Sequence, residues 1–450
     1  MTTSGTFPGT ADGRRRAVAF VAVVLALVVS LPGLAAQAAP ARDVLSSQDK
    51  ACLACHARPE LDRTLGNGER LSLAIAPRAF ASSVHAADGC EGCHSDLDAA
   101  THGKGGSRPV ASRRAFALGQ METCRDCHKK TMKQYEDSVH AALVKAGSEK
   151  APLCTDCHDP HATRSAKERG AGQAQAAPCQ ACHGAITRAF ADSVHGQGGD
   201  EALVCKDCHR THNVAAAALG DHLRTGCLSC HKEVATSHAQ WLPNTQRHLE
   251  AISCPACHSP GTTRRVNLRV YEGGAPQQAG SVGVPKFVKL ADEAGRTPAG
   301  LDARALWSLL QEFNQEGAAA RTVLRGRLEV QTGVQAHRLA AKGLALKDCD
   351  TCHRQGAASF QSVTVSMAGA DGRPLRHDAS QGVLTSLESI GAVGGFYAIG
   401  STRIKLLDVL LLMALAAGIA IPGAHLVMQL MFRRRRARPA DADGPSKERS

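Results

Sequence analysis

The sequence predicts mostly short α-helices and irregular structure packed around something other than a side-chain core, then a small mixed α/β domain and one C-terminal transmembrane helix. Three observations predict it. All 18 cysteines fall into nine Cys-x-x-Cys-His units. Aromatic residues make up only 3% of the 450 residues, too few for conventional cores in a chain that long. Residues 406–432 form a 27-residue stretch whose only charged member is Asp408.

The nine units come first. Their cysteine pairs are Cys52 and Cys55, Cys90 and Cys93, Cys124 and Cys127, Cys154 and Cys157, Cys179 and Cys182, Cys205 and Cys208, Cys227 and Cys230, Cys254 and Cys257, and Cys349 and Cys352. The closing histidines are His56, His94, His128, His158, His183, His209, His231, His258 and His353. Two thiols three positions apart reach the two vinyl groups on one porphyrin edge, and the next residue turns its imidazole onto the iron. Structural zinc and a disulfide framework also use paired cysteines, but neither requires histidine after the second. The spacing therefore predicts nine covalent c-type haems, whose faces replace much of the missing core.

The formal charge of +12 is concentrated at the ends. Between residues 40 and 432 there are 43 basic and 37 acidic side chains, a balance of +6. Each ferric haem with its two propionates contributes roughly one negative charge, so nine bring this segment to about −3. A nucleic-acid partner is disfavoured.

At the N-terminus, Arg14, Arg15 and Arg16 precede an apolar run from Ala17 to Leu31, and Ala36 and Ala38 offer an Ala-x-Ala cleavage signal. Residues 1–38 read as a secretory signal peptide. Pro32-Gly33 interrupts the run, which weakens the alternative of an uncleaved anchor. At the other end, residues 404–432 read as a transmembrane helix, and Arg433 to Arg436 open a basic tail, 433–450. Arginines beside a span stay on the cytoplasmic side. The expected location is the bacterial inner membrane, single-pass, with every motif in the periplasm.

Between these ends lies an internal repeat. An aromatic residue, two variable positions and Ser-Val-His recur as Phe80 to His85, Tyr135 to His140 and Phe190 to His195, a period of 55 residues with two motifs in each. Residues 39–265 are expected to form an eight-haem domain of such modules, with no sheet between Cys52 and His258. After Arg265 the pattern changes. Val266, Leu268 and Val270 alternate with polar residues, as do Leu324, Leu328 and Val330, and Val363 and Val365; these are strand patterns. Leu306, Leu309, Leu310 and Phe313 keep helical spacing. Residues 266–403 are expected to be a small mixed domain enclosing the ninth haem, with a linker rich in Gly and Ser from 378.

Bis-histidine ligation of nine irons needs nine further histidines. His85, His140 and His195 head the repeats, and His161 and His212 follow proximal histidines in a His-x-x-His arrangement. His248 and His337 precede motifs by similar spacings, and His238 and His222 come next. A lone histidine is ordinarily a surface residue, but nine irons compete for few candidates. The position three after His94 is Leu97, with His102 the nearest substitute, free to serve a haem elsewhere. Methionine ligation would raise a potential, yet outside the terminal segments only Met121, Met132 and Met367 are candidates. Low-potential bis-histidine centres are expected.

These leading Ser-Val-His, Cys-x-x-Cys-His and His-x-x-His elements resemble the bacterial multihaem cytochromes c, of the class III and tetrahaem families, over residues 48–260. The fold class this implies is a multihaem cytochrome c around stacked haems. Leu346-Lys347-Asp348-Cys349 through His353 before a C-terminal anchor is similar to the haem c subunits that pair with membrane b-type cytochromes. That resemblance implies partners in a b-type cytochrome or quinone-reactive subunit and in periplasmic redox proteins. His425, an ionisable residue inside the span just after Pro422-Gly423, has two readings. It is a ligand to a b-type haem shared with a partner or a neighbour of a quinone site, or it makes an ordinary hydrogen bond to another helix.

Electron relay between membrane and periplasm is the expected function, with no catalytic residues. The alternative is a multihaem reductase of a small nitrogen or sulfur oxyanion at one open-site haem, although no Cys-x-x-Cys-Lys variant marks such a site. A haem-based sensor or scaffold ranks last, since nine redox centres exceed what sensing requires.

Overall fold

Eight of the nine motifs lie in or at the edge of helices and the second, Cys90–His94, forms a turn closed by His94 N–H to Cys90 O, because one turn brings residues three apart onto one side. In the computed structural model the described residues are 45–97, 102, 109–165, 177–199, 202–215, 222–272, 288–289, 292, 300–315, 322–368, 374–388, 390, 393 and 396–436. Residues 1–38, read above as a signal peptide, and the tail beyond Arg436 lie outside them. By backbone contacts the chain divides into two compact units.

The first unit comprises Met1–Thr64, Arg70–Arg108 and Pro160–Thr163 and carries the first two motifs. Helix Ser47–His56 starts at a capping box in which the Ser46 hydroxyl and the Asp49 carboxylate satisfy each other's backbone N–H groups. Strands β1 (Asp62–Thr64) and β2 (Arg70–Ser72) follow as an antiparallel pair. They correct the expectation of no sheet between Cys52 and His258. The physical reason is local: the connecting segment holds Asn67-Gly68, with Gly68 at φ 84°, a turn that brings short flanking segments into register.

The second unit comprises Leu65–Glu69, Pro109–Asp159 and Arg164–Ser450. Its first part is a succession of short helices, among them Arg113–Gly119, Met121–Cys127, Lys129–Glu136 and Val139–Lys145, then Cys154–Cys157, Ala177–Ala191 and Cys205–Cys208. Helices His222–Cys230, Val234–Ala239, Thr245–Ala251 and Cys254–His258 follow. Two of the motif turns cap themselves. The Asp156 carboxylate accepts from Leu153 N–H at 2.7 Å, and Asp207 from Val204 N–H at 2.8 Å.

Beyond Arg264 the second unit contains a four-stranded sheet in the order β4-β3-β5-β6, with β3 Arg264–Glu272, β4 Thr322–Val330, β5 Val363–Ala368 and β6 Pro374–Ala379. β3 runs antiparallel to β4 and parallel to β5, and β5 runs antiparallel to β6. Alternation places Val266, Leu268 and Val270 in a core with Leu324, Leu328, Val365 and Met367, sealed by Leu306, Leu309 and Leu310 of helix Ala303–Gln315. Residues of the opposite set, Asn267 and Arg269, are also buried; Arg269 pairs with Glu329, and Thr364 Oγ1 donates to Asn267 Oδ1 at 3.3 Å.

The last element is helix Lys405–Arg436, whose apolar side chains stand exposed, Leu412 at 68% and Ile419 at 76% among them. It is long and apolar enough to cross a membrane and fits a single-pass anchor.

Candidate haem centres

Imidazoles from distant parts of the chain meet in pairs. Within the first unit, ring centroids lie 5.8 Å apart for His56 and His102 and 6.2 Å apart for His94 and His161. Within the second unit the separations are 6.3 Å for His183 with His140, 6.0 Å for His158 with His212, and 6.0 Å for His231 with His195. They are 5.9 Å for His209 with His337, 6.1 Å for His258 with His238, and 6.0 Å for His353 with His248. Two imidazoles on opposite sides of one metal, each bonded at about 2 Å with roughly 1 Å more to its ring centre, put the centroids about 6 Å apart. Each of these pairs therefore has room for one iron between its rings, and the donor set fits a haem with two axial histidines. Among the described residues no three His, Cys, Asp or Glu side chains converge as a metal-ion cluster.

The rings are also oriented for it. Nδ1–H donates to a backbone carbonyl in His238 (Val234, 2.8 Å), His248 (Asn244, 3.2 Å) and His337 (Gly333, 2.7 Å), each four residues back on its own turn. His56 donates to Leu73 O at 2.8 Å, His85 to Pro160 O at 3.0 Å and His353 to Ile399 O at 2.8 Å. A ring whose Nδ1 is committed in this way presents a neutral Nε2 to a metal. Burial also pushes His94, His140, His195, His209 and His258 below the ordinary imidazole range, which favours the unprotonated form a ligand needs.

Ser-Val-His does two jobs in each repeat. The serines, Ser83, Ser138 and Ser193, are buried. The valine N–H groups then take carbonyls from later segments: Val84 from Thr163 at 2.8 Å, Val139 from Val214 at 2.9 Å and Val194 from Leu339 at 2.9 Å. Each acceptor stands two residues after a paired histidine, His161, His212 or His337. The segment at 337–339 thus plays for the third repeat the part that the following segment plays for the other two. A repeat's first motif meets a histidine that comes from beyond the repeat, while the second motifs of the later two repeats meet their own leading histidines.

Neighbouring motifs also touch through their thiols in the free chain. Hydrogen bonds join Cys52 with Cys90 in the first unit, and Cys124 with Cys154, Cys179 with Cys205 and Cys227 with Cys254 in the second. These bonds pull Cys154 down to about 7 and Cys205 and Cys254 to about 6. Second cysteines alternate with them, near enough to influence one another electrostatically. Burial is the main cause that raises Cys157, Cys208 and Cys257, and the neighbouring thiols of Cys182, Cys230 and Cys352 add to it. The third to ninth motifs therefore form one unbroken series in which each adjoins the next.

Asp49 fastens the first two motifs together. Burial alone would raise its carboxyl, but hydrogen bonds from Ser46 and from Cys90 N–H, at 2.8 Å, hold it down at about 2. Gly89 sits beside it at φ 68°.

Among the expected distal histidines, eight motifs' partners include His140, His161, His195, His212, His238, His248 and His337 in the pairs above. His85 is held by Pro160, and His222 opens helix His222–Cys230, its side chain outside the described residues. His102, not among the first-ranked distal candidates, adjoins the first motif rather than the second; it lies in the first repeat, but the position one period on is Cys157, so periodicity could not assign it. Met132 and Met367 are buried at 3% and 1% exposure, Met367 in the sheet core. His425 Nε2 accepts from the Gln429 amide at 2.9 Å, one turn on along its own helix.

Doubled motifs with imidazole pairs of this spacing define a class, the bacterial multihaem c-type cytochromes with covalently bound haem, and the comparisons with known proteins support it. Residues 140–187, from leading His140 through the fourth and fifth motifs, match the family model for the doubled CXXCH motif. The chain is 26% identical over 218 residues to the high-molecular-weight cytochrome c of Nitratidesulfovibrio vulgaris (Hildenborough), an alignment covering 48% of this chain and 33% of that protein. The chain thus spans about a third of the length of that curated relative. No solved structure matches.

Proposed function

We propose that this chain is a periplasmic, membrane-anchored nonahaem cytochrome c that relays electrons between a quinone-reactive or b-type cytochrome module in the membrane and periplasmic redox proteins. The observation that carries the reading is the unbroken series of adjoining motifs from the third to the ninth. A series of this kind serves transport, because each centre has a neighbour on either side. Bound haem supplies one-electron iron chemistry, and the chain's own residues fix its surroundings. Eighteen cysteines would hold nine haems, and the eight histidine pairs would supply both iron ligands at eight of them, leaving no position for a substrate there. His85 and His222 complete the distal candidates.

The proposed organisation is a signal peptide at 1–38, an eight-haem domain at 39–265, a mixed domain with the ninth haem at 266–403, the span at 404–432 and a cytoplasmic tail at 433–450. At His425 the Gln429 amide bonds within the same helix, so the bond to another helix is not engaged. A b-type haem shared through His425 requires the Gln429 bond to open when a partner docks.

Electron paramagnetic resonance of the oxidised full-length protein, with haem quantified alongside, tests the relay. The expected result is nine haems, all low-spin. A stoichiometric high-spin haem would replace the relay with a reductase of a small nitrogen or sulfur oxyanion.

A further inference from the structure

We propose that the ninth motif is the membrane-side terminus of the series, held at the lipid interface by residues 397–404; its meaning for electron transfer rests on the relay reading above. The series ends at this motif, which is tied to the eighth where Leu346 N–H, three residues before Cys349, donates to the Cys257 carbonyl at 2.9 Å. The ninth proximal imidazole is fixed not by its own helix but by the Ile399 carbonyl, 2.8 Å from His353 Nδ1. Gly400 follows at φ 92°, and a Cβ there would overlap the His353 carbonyl oxygen, so the two backbones lie against each other. Only glycine meets both demands.

This contact is rigidly coupled to the span. Ser401, Thr402 and Ile404 are buried. Thr402 closes a tight turn, accepting from Ala398 N–H at 2.6 Å through Oγ1 and donating its own N–H to Ala398 O at 3.0 Å. Helix Lys405–Arg436 begins at the next residue but two. Six residues separate Ile399 from Lys405, which caps their distance at about 20 Å even fully extended.

The surface of the same segment is apolar. Tyr397 is 50% exposed and Ile399 67%, with Leu387 and Ile390 about half exposed nearby in sequence. A tyrosine and aliphatic side chains directly before a spanning helix, with Arg403 and Lys405 at its mouth, are the composition of a membrane interface. The occupant of this face is lipid, because the chain itself enters the bilayer here.

The test uses full-length protein in lipid discs of phosphatidylethanolamine and phosphatidylglycerol carrying a headgroup fluorophore, which haem quenches steeply with distance. Cys349→Ala with Cys352→Ala, which removes the ninth haem, should abolish most of the quenching. Cys124→Ala with Cys127→Ala, which removes the third, should leave it nearly unchanged. Equal losses, or a larger loss from the second variant, overturn the proposal. Because a variant lacking haem can misfold, unaltered protein is also labelled with a lipid bearing a diazirine next to its headgroup. Adducts within 387–404 support the interface, and adducts confined to 405–436 overturn it. Neither readout depends on spin state, so a high-spin haem would sink the relay and leave this placement standing.

Discussion

The haem-bearing helices and the four-stranded sheet solve the problem of a core in opposite ways. The sheet buries Val266, Leu268, Leu306, Leu324 and Val365 almost completely against one another. The repeats bury mainly small or isolated side chains, Ala141, Ala142, Met132 and Ala189 among them, and bring imidazoles together where a core would be. One region is held by side chains the sequence supplies and the other by a group it only receives. Burial of apolar area stabilises the first without help. The second has polar rings facing each other, which favour folding only when a metal lies between them.

The largest effect expected from this difference is on protein made without haem attachment. Limited proteolysis should then degrade the repeats and leave a resistant fragment containing 264–384. Loss of the whole chain at one rate would mean that the sheet also depends on haem. A smaller effect tests the converse. Leu268→Ala should cost the sheet about 2–5 kcal/mol by leaving a cavity, seen as a lowered unfolding midpoint, while the low-spin signals of the repeats persist beyond that midpoint. Simultaneous loss of both would mean the two regions unfold as one.

The smallest effect concerns the contact that needs neither haem nor apolar core. Asp49→Ala should weaken the first unit by about 2 kcal/mol, the scale of hydrogen bonds to a charged group in a buried setting. The native carboxyl lies near 2, below its unfolded value of about 4, so its contribution is present above pH 4 and fades as pH falls towards 2. Hydrogen exchange of the Cys90 amide across that range should track it. An exchange rate indifferent to both acid and the substitution would remove Asp49 as the fastening.

Much of the sheet was legible because two simple periods coincide with burial. Alternation at Val266, Leu268 and Val270 and helical spacing at Leu306, Leu309 and Leu310 describe what the structure contains. The β1–β2 hairpin was hidden although Asn67-Gly68 is a turn signal, because its three-residue strands are too short for any alternation to register. At the haem centres, covalent attachment is local and so is written in the motif. The pairing of rings is not, since His209 meets a histidine beyond the first strands of the sheet, and His102 has no histidine one period on to announce it. Only the shared bond at Val84, Val139 and Val194 reveals that 337–339 imitates a following repeat.

That shared bond bears on how such a chain is made and how it changes over generations. A repeat emerging from the ribosome carries a first motif whose facing histidine has not yet been translated, so that ring pair can close only when the next segment has been added. Because every junction uses the same main-chain bond, a gene could gain or lose one 55-residue unit without redesigning either neighbour, with His337 terminating an array of any length.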